Sequence, residues 1–151
     1  MTRHILLDSS PLSALCLPVK NPALLGIMQW VLSCVVAGHY VYVPEVIDYE
    51  LRRELLRVGK TVSLAALDGL KLRFDYLPLT TAAMLRAAEL WAHSRRVGLP
   101  TGDPKKLDID VILAAQALTL AVPVSDIIVA TANVSHISRF VAADLWQNIT
   151  P

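Results

Sequence analysis

The sequence predicts an α/β fold, a three-layer α/β/α sandwich around a central, mostly parallel sheet. Two observations carry this. Strand-like and helix-like segments alternate along the whole chain. The strand segments are continuous apolar runs rather than alternating ones, the pattern of strands buried on both faces of a parallel sheet. The 151 residues suit one domain, read here as 1–151, with enough chain for a single core.

The elements follow in order. HILL at 4–7 reads as a buried strand, ended by the sequence Asp8-Ser-Ser-Pro. Ser10 and Pro11 look like a helix start, with a short helix over 12–17. Pro22 opens a helix to about residue 37, and Gly38 closes it. Residues 41–43 form a second strand. Pro44 starts a helix to about residue 58, ended by Gly59. A helix over 61–70, a strand over 73–77 and a long helix over 80–97, stopped by Gly98, come next. LPTGDPKK at 99–106 reads as a polar loop before a helix over 107–121. A strand at 127–130, a turn with a short helix from Asn133, and a last strand near 143–146 complete the chain. There is no repeat, linker or low-complexity stretch.

Composition narrows the function classes. Fourteen Lys and Arg stand against thirteen Asp and Glu, so the net charge of +1 neither demands nor excludes a nucleic-acid partner. No apolar run approaches the roughly 20 residues needed to cross a bilayer, and the N-terminal apolar stretch is too short for a signal peptide. A cytoplasmic protein is expected. Cys16 and Cys34 sit in apolar stretches and read as buried free thiols. No glycine-rich phosphate loop follows the first strand, and no Gly-x-Ser-x-Gly elbow occurs. His4, His39, His93 and His136 lack zinc-ligand spacing.

The carboxylates are more informative. In LDIDVILAAQAL, at ~100° per residue, Asp110 falls inside an apolar stripe with Ala114 and Leu118, whereas Asp108 points roughly the other way. A carboxylate on a buried face persists only with a cation, a metal or strong donors. A bland reading stands beside this one: either aspartate could cap the first turn of its helix, which suits Asp108 better than Asp110. Glu50 sits at the edge of the stripe Ile47, Leu51, Leu55, with Glu54 one turn on; a surface ion pair with Arg53 or Arg57 explains Glu50 equally well. Asp8 ends the first strand, where it could cap the next helix or face a ligand; Thr131 and Asn133 follow the fourth strand. Carboxylates arriving from separate segments suit a hard divalent ion such as Mg²⁺, which takes oxygen ligands and acts on phosphodiesters.

At four stretches the sequence resembles the PIN domain, and most of all the VapC-type toxins of bacterial and archaeal toxin–antitoxin pairs. They are ILLDSSPL with Asp8, VPEVIDYELRRELLR with Glu50, LDIDVILAAQAL with Asp110, and IIVATANVSHISRF with Thr131 and Asn133. Each is weak alone, and their order and spacing are specific together. The resemblance implies a Mg²⁺- or Mn²⁺-dependent endoribonuclease whose metal is held by Asp8, Glu50 and Asp110. Asp108 fits a family variant with a second aspartate, and Thr131 fits the assisting hydroxyl. Asn133 departs from the pattern, since many members carry a fourth acid there, which implies one tightly held ion. His136 stands where others often have Asp; it either contacts RNA or is an ordinary turn histidine.

The family also implies a cognate antitoxin that covers the site, inserting an arginine against the carboxylates, and a homodimer. The many Leu and Ala within 61–97 suit a helix-mediated interface. Arg52, Arg53, Lys105 and Lys106 are candidates for RNA phosphate contacts, although solvated surface charge explains each singly. Two rival functions remain open. A binding-only PIN-like module would keep the cleft for RNA or protein without cutting. A receiver-like signalling domain would want an acidic pair by the first strand and a late Lys; Asp8 stands alone, and no Lys follows Lys106.

Overall fold

The structure, a computed structural model, describes residues 1–99 and 104–151, the side chains of 104–108 excepted. Five strands form one all-parallel sheet: β1 (His4–Leu7), β2 (Tyr40–Pro44), β3 (Asp75–Leu77), β4 (Ile127–Ala130) and β5 (Ala143–Asp144), in the order β3-β2-β1-β4-β5. Ile5, Leu6 and Leu7 have no exposed surface. Successive strand residues face opposite sides, so both faces of β1 are covered, as the unbroken apolar run predicts.

The helices are α1 (Ser9–Leu15), α2 (Pro22–Val36), α3 (Glu45–Val58), α4 (Thr61–Arg73), α5 (Thr81–Arg96), α6 (Pro104–Leu118) and α7 (Val134–Ile137). Parallel strands need crossover connections, and right-handed crossovers to either side of β1 put helices on both faces of the sheet. This is the three-layer arrangement expected. No helix among the described residues is long and apolar enough to cross a membrane.

Several boundaries differ from expectation, each for a local reason. Helix α1 starts three residues earlier than expected because Asp8 caps it, its carboxylate accepting from the Ser9 N–H. Pro44 is the cap of α3 rather than its first residue. Helix α4 continues to Arg73, with the Phe74 N–H closing on Leu70, so β3 is shorter than the apolar run suggested. Helix α6 starts at Pro104, inside the expected loop; proline at a first helical position is a start signal in its own right. The last strand ends at Asp144, and a single 3₁₀ turn over Trp146–Asn148 replaces its expected end.

The chain leaves β1 for β2 and β3 on one side and later fills β4 and β5 on the other. The strand order therefore reverses between β1 and β4, and their carboxyl ends diverge into a crevice. The Asp8 N–H donates to the Ala130 carbonyl at 3.0 Å, fixing the ends of the two strands side by side.

Candidate functional site

The crevice at this switch point is a cavity of about 340 Å³ lined by Asp8, Ser9, Glu50, Asp110, Ala132, Asn133 and His136. Asp8, Glu50 and Asp110 thus come together from the end of β1, the middle of α3 and the interior of α6.

Asp8 is held by two neutral donors. Its Oδ1 accepts the Ser9 N–H at 2.7 Å, and its Oδ2 accepts the Thr131 hydroxyl at 2.6 Å. Thr131 in turn accepts the Asn133 N–H at 2.8 Å. One carboxylate therefore caps α1 and also lines the cleft. Thr131 is buried beneath it and fixes its rotation.

Asp110 is buried, with 7% of its surface exposed. It lies well past the first turn of α6, so the early start of that helix removes the capping alternative and corrects the expected position at the helix start. Its Oδ2 accepts the Asn133 Nδ2–H at 3.0 Å, and His136 Nδ1 lies 3.8 Å from the same oxygen. Val111, Leu113, Ala114, Ala115 and Ala117 are all buried around it, so the stretch of helix from 110 to 117 is enclosed on almost every side. His136, read either as an RNA contact or as a turn histidine, is a lining residue of the cleft.

Glu50 is half-buried and lines the cavity wall from α3. On the same helix Arg57 is engaged by Glu54 in a bidentate pair, and Arg53 lies over the Tyr49 ring. Glu54 is exposed and does not line the acidic cleft. Asp108, Lys105 and Lys106 have side chains outside the described residues.

Arg52, a candidate RNA contact, is committed elsewhere. It binds Asp48 at 3.0 Å and Asp68 at 2.8 Å. Lys71 and the Tyr76 hydroxyl complete a cage around the buried Asp48, at 3.3 and 3.0 Å. Burial and the bond to Asp48 push the Tyr76 phenol well above its usual value. Residues two apart on a helix point in roughly opposite directions, so this network locks the far side of α3 to α4 and β3 while Glu50 faces the cleft.

Two residues that matter to the site escaped the sequence reading. Ser9 lines the cleft next to its own cap. Gln116, 2% exposed, donates to the Leu77 carbonyl at 2.9 Å and accepts the Val46 N–H at 3.3 Å, tying α6 to the end of β3 and the start of α3. A lone amide inside VILAAQAL was the available signal, because a buried amide must be satisfied.

The donor set is chemically suited to a hard cation: carboxylate oxygens on one wall system, with an amide and an imidazole beside them. Among the described residues no three acidic, histidine or cysteine side chains form a ready-made metal cage. The carboxylates line a cavity instead, which suits an ion that keeps several of its waters.

No protein-family description matches the sequence, and no curated protein matches it. Solved structures do. The chain aligns over 95% of its length with 98% of a chain in the structure of VapBC2 from Rickettsia felis bound to a promoter DNA fragment, at a TM-score of 0.69 and 14% identity. It aligns over 96% of its length with 99% of a chain of VapBC-1 from nontypeable Haemophilus influenzae, at 0.64 and 15%. The corresponding values for DNA-bound VapBC from Salmonella typhimurium are 97%, 99%, 0.62 and 18%. The end-to-end likeness establishes the fold: the PIN-type sandwich expected from the four sequence stretches is the architecture of this chain.

Proposed function

We propose that this PIN-fold chain is a single-domain, VapC-like toxin that acts in the cytoplasm as a divalent-metal-dependent endoribonuclease. One observation carries the reading: Asp8, Glu50 and Asp110, from three distant segments, line one cavity at the reversal of strand order. Asp8, Glu50 and Asp110 would hold a Mg²⁺ or Mn²⁺ ion, which when bound supplies a more acidic water and a polarised phosphodiester.

The chain's own residues do the rest. Thr131 holds the Asp8 carboxylate in one rotation, and Asn133 does the same for Asp110. Because the Asn133 amide is spent on Asp110 and brings no negative charge, the site favours one ion over two. Asp108 belongs to the same proposal as an auxiliary acid. His136 borders the cavity where a scissile phosphate would lie, with its imidazole able to donate to a phosphate oxygen.

The likeness to chains of VapBC complexes supports a cognate antitoxin as partner, covering the acidic cleft with an arginine. A homodimer is also proposed. Met84, Leu85 and Trp91 of α5 are exposed large apolar side chains of the kind such an interface covers.

Induced expression in a bacterium, wild type against Asp110→Asn, tests the reading. Growth arrest with discrete RNA fragments from the wild type alone is the expected result. Intact RNA with both, from soluble protein, overturns it and favours the second reading, a binding-only module, for which the amide at Asn133 is the supporting observation. Calorimetric titration with Mn²⁺ is expected to show one site, weakened in Asp8→Asn.

A further inference from the structure

A second cavity, of about 430 Å³, opens beside the acidic cleft and shares Ser9 and Glu50 with it. It runs between α1 and α3. Ser9, Ser10 and Ser13 line it from α1, and Arg53 and Glu54 from α3. The Arg53 guanidinium sits 5.1 Å from the centroid of the exposed Tyr49 ring.

We infer that this groove is a subsite for single-stranded RNA, carrying the strand away from the acidic cleft. The inference rests on the nuclease reading for why a strand is there at all. Its chemistry is that of a backbone track. Serine hydroxyls both donate and accept, so they serve phosphate oxygens and ribose 2′-hydroxyls without reading sequence. Arg53 brings the cation for one phosphate. Tyr49, outside the lining itself, backs the guanidinium of the lining Arg53, and the pair offers a preorganised flat surface on which a base stacks, whichever base it is.

The opposing charge in the groove is already answered. Arg57 grips Glu54 in a bidentate pair and holds its carboxyl below the ordinary value. Glu50 faces both cavities and belongs to the metal-holding set. Arg52 is locked on the other side of α3 by Asp48 and Asp68, so among the described residues the cation lining the groove is Arg53. A protein partner fits less well. Interface cores want apolar and aromatic anchors in pockets, and the apolar side chain lining this groove is the mostly buried Leu51.

The test is equilibrium binding of a short fluorescein-labelled single-stranded RNA, followed by anisotropy across a salt series. It is done in Mg²⁺ on an Asp8→Asn background so that the probe stays whole. Tyr49→Ala is expected to weaken binding about tenfold at every salt concentration, with Tyr49→Phe restoring it. Arg53→Ala is expected to lower the slope of log affinity against log salt by about 0.7, the signature of one lost phosphate contact on a single strand. Arg95→Ala is the matched control: Arg95 lies over Trp91 on α5, the same pairing away from the groove, and should change neither quantity.

Parent-like binding by Tyr49→Ala and Arg53→Ala overturns the inference and returns the groove to a protein partner. An Arg95→Ala effect equal to that of Arg53→Ala overturns it in favour of diffuse attraction, and a parent that does not bind the probe overturns it outright. Failure here leaves wild-type cleavage untouched. Failure of the nuclease reading instead appears as wild-type protein that cuts nothing, while the binding series still reports on the groove.

Discussion

Asp8 and Asp48 are equally buried, with 6% and 5% of their surfaces exposed, yet their surroundings differ in kind. Asp48 is enclosed by Arg52, Lys71 and the Tyr76 hydroxyl, with Asp68 sharing the arginine. Asp8 receives a backbone N–H and a threonine hydroxyl and opens onto a cavity. A carboxylate answered by cations is already neutralised, and its role is to join α3, α4 and β3. A carboxylate held only by neutral donors has no cation in its own shell, and under the proposed function that is the place a metal ion would take. Burial alone does not separate the two acids; the charge of their partners does.

Exchanging each aspartate for asparagine sets this difference against experiment. Asp8→Asn should lower RNA cleavage by more than about a hundredfold, since losing even an outer partner of a metal ligand costs about 10- to 100-fold. Its stability should stay within about 1 kcal/mol of wild type, because the remaining amide oxygen can still cap α1. Asp48→Asn should do the opposite. Arg52 and Lys71 would lose a shared anion, and urea unfolding should show about 2 kcal/mol less stability, less than a fully buried pair would cost because both cations are partly exposed. Cleavage per folded molecule should be nearly unchanged. If Asp48→Asn abolishes cleavage in a folded protein, or Asp8→Asn unfolds it, the division between the two acids is wrong.

The same contrast explains what the sequence could reveal. Asp8, Thr131 and Asn133 were legible because strand ends are marked by apolar runs, and ligands gather where parallel strands end. Asp110 was legible as a charge inside an apolar helical stripe. Its true depth within α6 was not, since the helix start at Pro104 looked like part of a loop. Glu50 could be placed only as one of two alternatives, because Tyr49, Glu50 and Glu54 all lie within one helical turn of Arg53 or Arg57 and spacing does not choose among them. Arg52 and Asp48 stand at i,i+4 on one helix, a spacing that is visible in the sequence, but the rest of the Asp48 cage is not. Their partners Asp68, Lys71 and Tyr76 lie in other elements, and helical periodicity says nothing about which helix packs on which. The serine-walled groove beside the cleft was invisible for the same cause: α1 and α3 are separated in sequence by all of α2 and β2.

Thr131→Val probes the comparison at its finest point, because it changes what holds Asp8 without touching the carboxylate. Valine keeps the shape but removes the hydroxyl that donates to Asp8 Oδ2 and accepts the Asn133 N–H. A buried carboxylate and a part-buried N–H then lose a partner, so urea unfolding should show a loss of about 1 kcal/mol. The freed carboxylate can rotate, and Mn²⁺ affinity by calorimetry should fall about tenfold, in line with the loss of an outer hydrogen bond to a metal ligand. Thr131→Ser, which retains the hydroxyl, should recover most of the affinity. If valine lowers stability but leaves the affinity where it was, Thr131 is a packing residue and the neutral donors around Asp8 do not set its readiness for a cation.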